Sequence, residues 1–211
     1  MATIGLDKLY YSIITENENG EENYGTPKKL AKAMTVDLSV EIAEAILYAD
    51  DSASESSKEF AGGTITIGID DLSPEVLSDL AGAFIDENGV VISSGEDVGN
   101  YVAIGFRAKK SNGTYRYYWI YRVKFATPSD SHETKGDSIN FKTPSIEGAI
   151  SQRIKEINGK HNWKAQLDET KENKPTIDKW YEKVYEPSGS AANTVSTASE
   201  MSLSKSLSKG E

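Results

Sequence analysis

The sequence contains no cysteine among its 211 residues and only two histidines, His132 and His161. The absence of cysteine excludes a disulfide, a thiolate metal site and a cysteine nucleophile within the chain. With two imidazoles, a histidine-rich metal site is not expected either. His132 lies in the polar stretch TPSDSHETKGD and His161 follows an Asn-Gly pair. Both are interpreted as surface side chains.

Long apolar runs are also missing. No segment approaches the roughly 20 apolar residues that span a bilayer. The first residues, MATIGLDKLYYSIIT, contain neither a basic leader nor the apolar segment of a signal peptide. We therefore expect no membrane insertion, and a protein that is made and kept in a cytoplasm.

The common motifs of catalysis and ligand binding are not found. The sequence has no phosphate-binding glycine loop, no Gly-x-Ser-x-Gly elbow and no Asp-x-Asp-x-Asp-Gly calcium loop. Its acidic pairs are explained as turn acids or helix-dipole acids. They are Asp50-Asp51, Asp70-Asp71, Asp86-Glu87 and Glu96-Asp97. We expect a protein that is not an enzyme, without catalytic, cofactor or metal sites.

Charge is abundant but unevenly distributed. The formal net charge is -10, and residues 1–100 hold 20 acids and 5 bases. Residues 101–126 hold 6 bases and no acid, whereas residues 127–211 are nearly neutral. Such asymmetry carries information about partners and solubility, and not about the fold.

Alternating apolar segments and turn signals predict the fold class. Asn-Gly pairs are strong hairpin signals. They occur at Asn19-Gly20, Asn88-Gly89, Asn112-Gly113 and Asn158-Gly159. The segments TVDLSVEI and GGTITIGID alternate as strands with one apolar face. These patterns predict a mainly β protein: an antiparallel sandwich or barrel of about eight or more strands, with one or two short flanking helices.

Two helices and a tail complete the predicted organisation. In DLSPEVLSDLAG, Ser73 is placed to cap a helix that Gly82 ends. In PTIDKWYEKVYEP, apolar residues from Ile177 to Tyr185 form a helical stripe. Residues 1–186 are expected to form one β-sandwich domain. The stretch from 187 to 211 is rich in serine and has no aromatic residue, so it is predicted to be a flexible tail.

The basic segment from 101 to 126 is predicted to be a hairpin. If Asn112-Gly113 is a two-residue turn, the numbers of facing residues sum to 225. One face then carries apolar and aromatic pairs: Val102 with Val123, Ile104 with Tyr121, Phe106 with Trp119 and Ala108 with Tyr117. The other face carries the bases, with Lys109 opposite Arg116, Arg107 opposite Tyr118 and Arg122 opposite Ala103.

Three interpretations of this basic face remain open. The first is a solvated strand face whose charges prevent edge pairing. The second is a nucleic-acid-binding surface, which is disfavoured because the aromatic residues point away from the bases. The third is a subunit interface that meets acids of another copy, such as ENENGEE or Asp50-Asp51. The interface residues would be Arg107, Lys109, Arg116, Arg122 and Lys124.

Several long blocks of the sequence resemble a known family. The blocks include YGTPKKLAKAMTVDLSVEIAEAILYADD, FAGGTITIGIDDLSPEVLSDLAGA, YVAIGFRAKKSNGTYRYYWIYRVKFATPSDSHETKGDSINFKTPSIEGAI and WYEKVYEP. Together with the first 15 residues, they are similar to the major tail proteins of long-tailed, non-contractile bacteriophages of Gram-positive bacteria. The resemblance covers roughly residues 1–187, and its blocks are structural patterns without a catalytic motif.

The resemblance implies a structural virion protein that forms the tail tube. Such proteins assemble into stacked, hexameric rings around a tape-measure protein and join tail-end proteins. They are assembled in the host cytoplasm and end in the virion tail. Double-stranded DNA passes through the tube without specific binding, since the lumen is acidic. The acids expected in the lumen or between rings are Glu16, Glu18, Glu21, Glu22, Asp50 and Asp51.

An alternative function class is a β-sandwich module for carbohydrate binding or adhesion. It would require exposed aromatic side chains beside a groove, whereas Trp119, Trp163 and Trp180 are each expected in the core.

Overall fold

The computed structural model describes residues 2–18, 20–49, 52–127 and 143–187, and for 45–49 and 52–56 it describes the backbone only. The elements are β1 (Thr3–Glu16), β2 (Glu22–Tyr24), β3 (Lys28–Lys29), β4 (Ala33–Ala49), β5 (Ser52–Ile69), α1 (Pro74–Ala81), β6 (Phe84–Ile85), β7 (Val91–Ile92), β8 (Tyr101–Lys110), β9 (Tyr115–Phe125), β10 (Ser145–Ser151), β11 (Glu156–Ile157), β12 (Lys160–His161), β13 (Lys164–Asp168) and α2 (Lys174–Asp178).

One large antiparallel sheet organises these elements. Its strand order is β2-β1-β8-β9-β10-β5-β4, with β3 also paired to β1 and β13 also paired to β9. The sheet folds over on itself, so that Ile104 and Ile120 from one half share a core with Ile65 and Ile146 from the other. The predicted mainly β, sandwich-like fold class is confirmed. In the described part of the chain, no helix is long and apolar enough to cross a membrane.

The first predicted helix is confirmed with its caps. Ser73 accepts a hydrogen bond from the Val76 amide at 3.4 Å, and Pro74 occupies the first turn of α1. Gly82 ends the helix with φ 75°, a left-handed conformation that favours glycine. Val76 and Leu80 bury the inner face of the helix in the core.

The second helix is shorter than predicted. The α2 helix has only five residues and ends at Asp178, although the apolar stripe continues beyond it. Trp180 and Val184 are nonetheless buried, and Tyr181 packs beside them. The stripe therefore docks on the sheet as expected, but mostly in turn conformation. The predicted tail lies outside the described residues from 188 onward.

The turn between β8 and β9 differs from the predicted two-residue turn. The Lys110 amide donates to the Thr114 carbonyl at 2.8 Å, and Gly113 adopts φ 85°. This arrangement is a three-residue loop with glycine in the left-handed position. Near the turn, the numbers of facing residues consequently sum to 224 and not to 225. The predicted partners there were therefore wrong by one residue. The observed pairs are Ile104 with Ile120, Phe106 with Tyr118, Ala108 with Arg116 and Lys109 with Tyr115.

A β-bulge restores the predicted register farther from the turn. Between Val102 and Ile104 the strand β9 contains one extra residue, and Val102 again faces Val123 as predicted. The slip moves Tyr117 and Trp119 to the sheet face that carries Arg107 and Gly105. The prediction that the aromatic residues and the bases occupy opposite faces was therefore wrong.

Both faces of β9 are consequently buried. On one face Ile120 and Val123 belong to the core between the two halves of the sheet. On the other face Tyr117, Trp119 and Tyr121 form a second core with Trp180 and Val184. The Trp119 indole donates to the Trp180 carbonyl at 3.1 Å, which fixes the C-terminal segment on this face.

The hairpin of β4 and β5 is longer than the sequence predicts. Apolar alternation indicated strands near 35–42 and 62–70, whereas β4 and β5 have 17 and 18 residues. Residues 41–44 and 57–59 are exposed on both strands. Residues 41–60 are called the hairpin arm below. Its second strand, rich in serine and glutamate, lacks the apolar alternation that would have revealed it.

We predict that Gly105→Ala destabilises the fold. A Cβ at Gly105 would lie 2.7 Å from the Trp119 ring, which is buried and cannot retreat. Overpacking of this kind costs about 1 to 3 kcal/mol. In urea unfolding the variant should lose stability by that amount. Gly5→Ala is the control, because a Cβ there meets Lys109 at an ordinary 3.7 Å. Equal stability of both variants would contradict the prediction.

Candidate subunit interfaces

The three arginines of the basic hairpin already have acidic partners in the same chain. Arg107 binds Asp7 through two hydrogen bonds of 2.6 and 2.7 Å. Arg116 makes a two-point contact with Asp168, its direct neighbour on β13. These pairs raise the pKa of each guanidinium and hold the pKa of Asp168 well below its usual range. Partner acids from a neighbouring subunit are not needed for neutralisation.

Arg122 binds two of the acids that the sequence placed in exposed loops. Its guanidinium donates to Glu16 at 2.8 Å and makes a short contact with Glu22. The predicted contact between the basic strip and ENENGEE thus occurs within one chain. A glutamate at position 122 would add a third carboxylate here, so reversal of Arg122 would disturb the fold of the subunit itself.

Glu22 is the centre of a buried ion network. Its side chain is fully buried, and Arg122 and Arg153 lie on either side of it, with Arg153 Nε 3.9 Å away. The Ile154 amide donates to the same carboxylate at 2.9 Å, and Arg153 reaches on to Glu186. Glu22 is therefore a structural carboxylate inside the subunit and not the exposed acid of an inter-ring or lumen loop that the sequence predicted.

Aromatic rings enclose this network. The Arg153 guanidinium lies 5.4 Å from the Tyr24 ring and 4.9 Å from the Tyr121 ring, and Arg122 lies 3.9 Å from Tyr101. Burial raises the pKa of Tyr121 to about 12, although the charge of Arg153 opposes the shift. No sequence signal distinguished Arg153 from a surface base, because its partners are far away along the chain.

The remaining predicted residues do not form one site. Lys109 is exposed next to Tyr115, and the Lys124 ammonium lies 5.2 Å from the Tyr101 ring. Glu18 and Glu21 are exposed in the turn after β1. Asp50 and Asp51 lie outside the described residues.

The aromatic side chains in the middle of β9 are not available to stack on nucleic-acid bases. Tyr117, Trp119 and Tyr121 share a face with Arg107, but all three are buried beneath the C-terminal segment. The same part of the chain brings no three histidine or acidic side chains together as a metal site. His161 lies 3.4 Å from Glu156, and His132 is outside the described residues.

An exposed apolar edge is the feature that sequence analysis missed. Among the described residues β4 pairs with β5 alone, so its other edge has no partner strand. Leu38 faces Ile65 across the hairpin and continues the core face of the sheet outward, yet it is 36% exposed. Val40 and Ile42, the next residues on the same face of β4, are 39% and 61% exposed. An apolar row therefore runs from the core onto the hairpin arm.

A groove lies along the start of this edge. It has a volume of about 520 Å³ and separates β4 from β1 and β9. The residues that line it include the apolar and aromatic Leu6, Phe106 and Tyr118 and the polar Lys164 and Gln166 of β13. The groove and the apolar row form a continuous strip along β4.

No protein-family model matches this chain, and no curated protein matches it.

We predict that Glu22→Ala strongly destabilises the subunit. The change leaves Arg122 and Arg153 without their shared buried carboxylate, and breaking a buried ion pair costs about 3 to 5 kcal/mol. Glu16→Ala is the matched control, since its side chain is 44% exposed and such pairs contribute about 1 kcal/mol or less. Urea unfolding measures both. Similar losses for the two variants would refute a central role for Glu22.

We predict a pH-dependent contribution from Asp168. Hydrogen bonds from Arg116 and Lys110 lower the pKa of Asp168 in the folded state. The ionised carboxylate therefore stabilises the fold fully above the ordinary pKa of an aspartate, and this contribution is lost as the pH falls through the lowered pKa of the folded state. Asp168→Asn should lower the melting temperature at pH 7, and its difference from wild type should shrink between about pH 4 and 2. Asp178→Asn, on the exposed surface of α2, is the control. A constant difference would contradict the prediction.

Proposed function

We propose that this chain is the tail tube protein of a long-tailed, non-contractile bacteriophage. Copies of the chain assemble into rings, which are expected to be hexameric, and the rings stack into a conduit for double-stranded DNA. The resemblance of the sequence blocks motivates the proposal, and the mainly β fold is compatible with it.

The unpaired apolar edge of β4 is the observation that carries the proposal. The strand has 17 residues, which corresponds to roughly 55 Å at about 3.3 Å per residue. A long apolar edge of this kind invites pairing with another chain, and monomeric proteins normally blunt or cover it. Addition of a strand from another copy would satisfy its backbone groups and cover Leu38, Val40 and Ile42. Self-assembly thus explains a feature that a monomer would avoid.

The charge distribution also supports a conduit for DNA. The net charge of -10 repels phosphate over the molecule as a whole. The arginines that could hold a phosphate backbone are paired with Asp7, Asp168 and Glu22. A tube wall built from such subunits would let DNA slide, because the net negative charge opposes phosphate binding and these arginines are already neutralised.

The carbohydrate-binding alternative receives no support from the tryptophans. Trp119 and Trp180 are buried, and Trp163 stacks on Phe60 with the ring centroids 5.0 Å apart. Trp163 is half-buried, so none of the three tryptophans is the fully exposed side chain that sugar recognition beside a groove would use.

We predict that Val40→Asp combined with Ile42→Asp abolishes tube formation. Two carboxylates on the apolar row would have to be buried against the neighbouring copy without partners, which is strongly unfavourable. Electron microscopy of negatively stained protein should show tubes or rings for wild type. The variant should show none, even at about tenfold higher concentration.

Ser39→Asp combined with Ala43→Asp is the matched control. It adds the same two charges to the same strand but on its opposite face. This variant should still assemble. Normal tubes from the Val40 and Ile42 variant would contradict the assigned edge, and monomers of wild type at every concentration would contradict the proposed function.

A further inference from the structure

The Asn-Gly pairs of this chain are chemically reactive as well as turn-forming. They lie at 19–20, 88–89, 112–113 and 158–159. Glycine has no side chain to shield its backbone nitrogen, which can attack the side-chain carbonyl carbon of the preceding asparagine and expel ammonia. The attack requires the glycine nitrogen and the asparagine side chain to leave the turn conformation. Asn19 lies outside the described residues, so the structure distinguishes the other three pairs.

The pair Asn112-Gly113 is held at both reacting groups. The Gly113 amide donates to the Lys110 carbonyl at 3.0 Å. The Asn112 side-chain oxygen accepts hydrogen bonds from the Thr114 amide at 3.2 Å and from the Thr114 hydroxyl at 2.8 Å. The turn also joins β8 and β9, which have ten and eleven residues. We therefore expect Asn112 to react slowly in the folded protein.

The pair Asn88-Gly89 is in a short hairpin, but Asp86 holds it. The Gly89 amide donates to the Asp86 carbonyl at 3.0 Å. The Asp86 carboxylate accepts hydrogen bonds from the Asn88 backbone amide at 2.9 Å and from the Asn88 side-chain amide at 3.2 Å. It also accepts one from the Val90 amide at 2.8 Å. Both reacting groups are again restrained.

The pair Asn158-Gly159 lacks these restraints. Both residues are exposed, and their φ angles are 55° and 67°. Within the part of the chain that the structure describes, the Gly159 amide donates no backbone hydrogen bond, and the Asn158 side chain has no hydrogen-bond partner. The turn joins β11 and β12, which have two residues each and pair only with one another. Little has to be broken before this pair can react.

The base of the same hairpin is held more firmly than its tip. The Asn162 side-chain amide donates to the carbonyls of Ile157 and Lys160, which flank the turn, at 3.3 and 2.9 Å. The Arg153 amide donates to the Asn162 carbonyl at 3.1 Å. His161 Nδ1 lies 3.1 Å from the Arg153 carbonyl. A change at the tip is therefore adjacent to the segment that carries the buried Arg153.

We propose that Asn158 is a site of spontaneous deamidation in the folded protein. The Gly159 nitrogen loses its proton to base and bonds to the side-chain carbonyl carbon of Asn158. The bond from that carbon to the side-chain nitrogen breaks, and ammonia leaves. Water then opens the resulting imide at either carbonyl and gives an aspartyl or an isoaspartyl residue. The reaction needs no second copy of the chain, so it is independent of the proposed function.

The two products have different consequences for the hairpin. An aspartyl residue tolerates the left-handed conformation and forms the same type of turn with glycine. An isoaspartyl residue routes the backbone through the former side chain and lengthens the turn, so the pairing of Ile157 with Lys160 is lost. The isoaspartyl form should melt at a lower temperature than wild type, whereas Asn158→Asp should melt with wild type.

Peptide mapping by mass spectrometry tests the site. Folded protein is incubated in mildly alkaline buffer, and the conversion of each asparagine is followed over time. Asn158 should react at least about threefold faster than Asn88 or Asn112, because each hydrogen bond that must be broken slows the reaction by about that factor. Equal rates, or a faster reaction at Asn88 or Asn112, would overturn the proposal.

Unfolded protein is the control for the effect of the structure. In guanidinium chloride the hydrogen bonds that distinguish the turns are absent, and the three Asn-Gly pairs should react at similar rates. A preference for Asn158 that persists in the unfolded chain would overturn the structural explanation.

Two variants of the hairpin test the mechanism in the folded protein. Asn158→Gly keeps a sequence that favours this turn and removes the reacting amide, so the main acidic species in ion-exchange chromatography should disappear. Asn162→Ala releases the base of the hairpin and should speed the reaction of Asn158 about threefold, with no change at Asn112. Persistence of the acidic species in Asn158→Gly, or an unchanged rate in Asn162→Ala, would contradict a reaction that proceeds through opening of this turn.

Discussion

The buried carboxylate of Glu22 is the interaction on which the arrangement of this subunit depends. Transfer of three charged groups out of water is costly unless they neutralise one another with good geometry. Arg122, Arg153 and the Ile154 amide converge on Glu22, and Glu186 completes the network. The N-terminal hairpin, β9 and the end of the described chain are thereby tied together. The arginines of the basic strip thus form ion pairs within the subunit, which explains why a strongly acidic chain contains this cluster of bases.

The register of the β8 and β9 hairpin places the aromatic residues. A three-residue turn at Gly113 shifts the pairing by one, and a bulge before Ile104 reverses the shift. Between these two features Tyr117 and Trp119 point away from the main core. They would be exposed there, but the C-terminal segment covers them with Trp180. Turn geometry near one end of the hairpin therefore determines which face the last folded segment must cover.

The arginines of the basic hairpin have acidic partners within the subunit, whereas two apolar features remain on its outer surface. The row on β4 extends the core face beyond the body, and the small hairpin of β6 and β7 exposes Phe84 and Ile92. A protein that acts alone would cover or charge such surfaces. Their presence supports a subunit whose fold is completed by its neighbours, as in the tube proposed here.

Local sequence patterns were sufficient to predict the elements that depend on residues close together in the chain, such as helix caps, tight turns and alternating strands. Ser73 and Gly82 correctly predicted the two ends of α1. The positive φ values at Asn158 and Gly159 confirm a type I′ turn. The apolar alternation around Ile65 correctly predicted a buried strand. The partners of Arg122, the length of the hairpin arm and the exposure of β4 were decided by the tertiary structure alone. Each of these depends on contacts between residues far apart in the chain, and no periodicity or spacing encodes which distant carboxylate a buried guanidinium will meet.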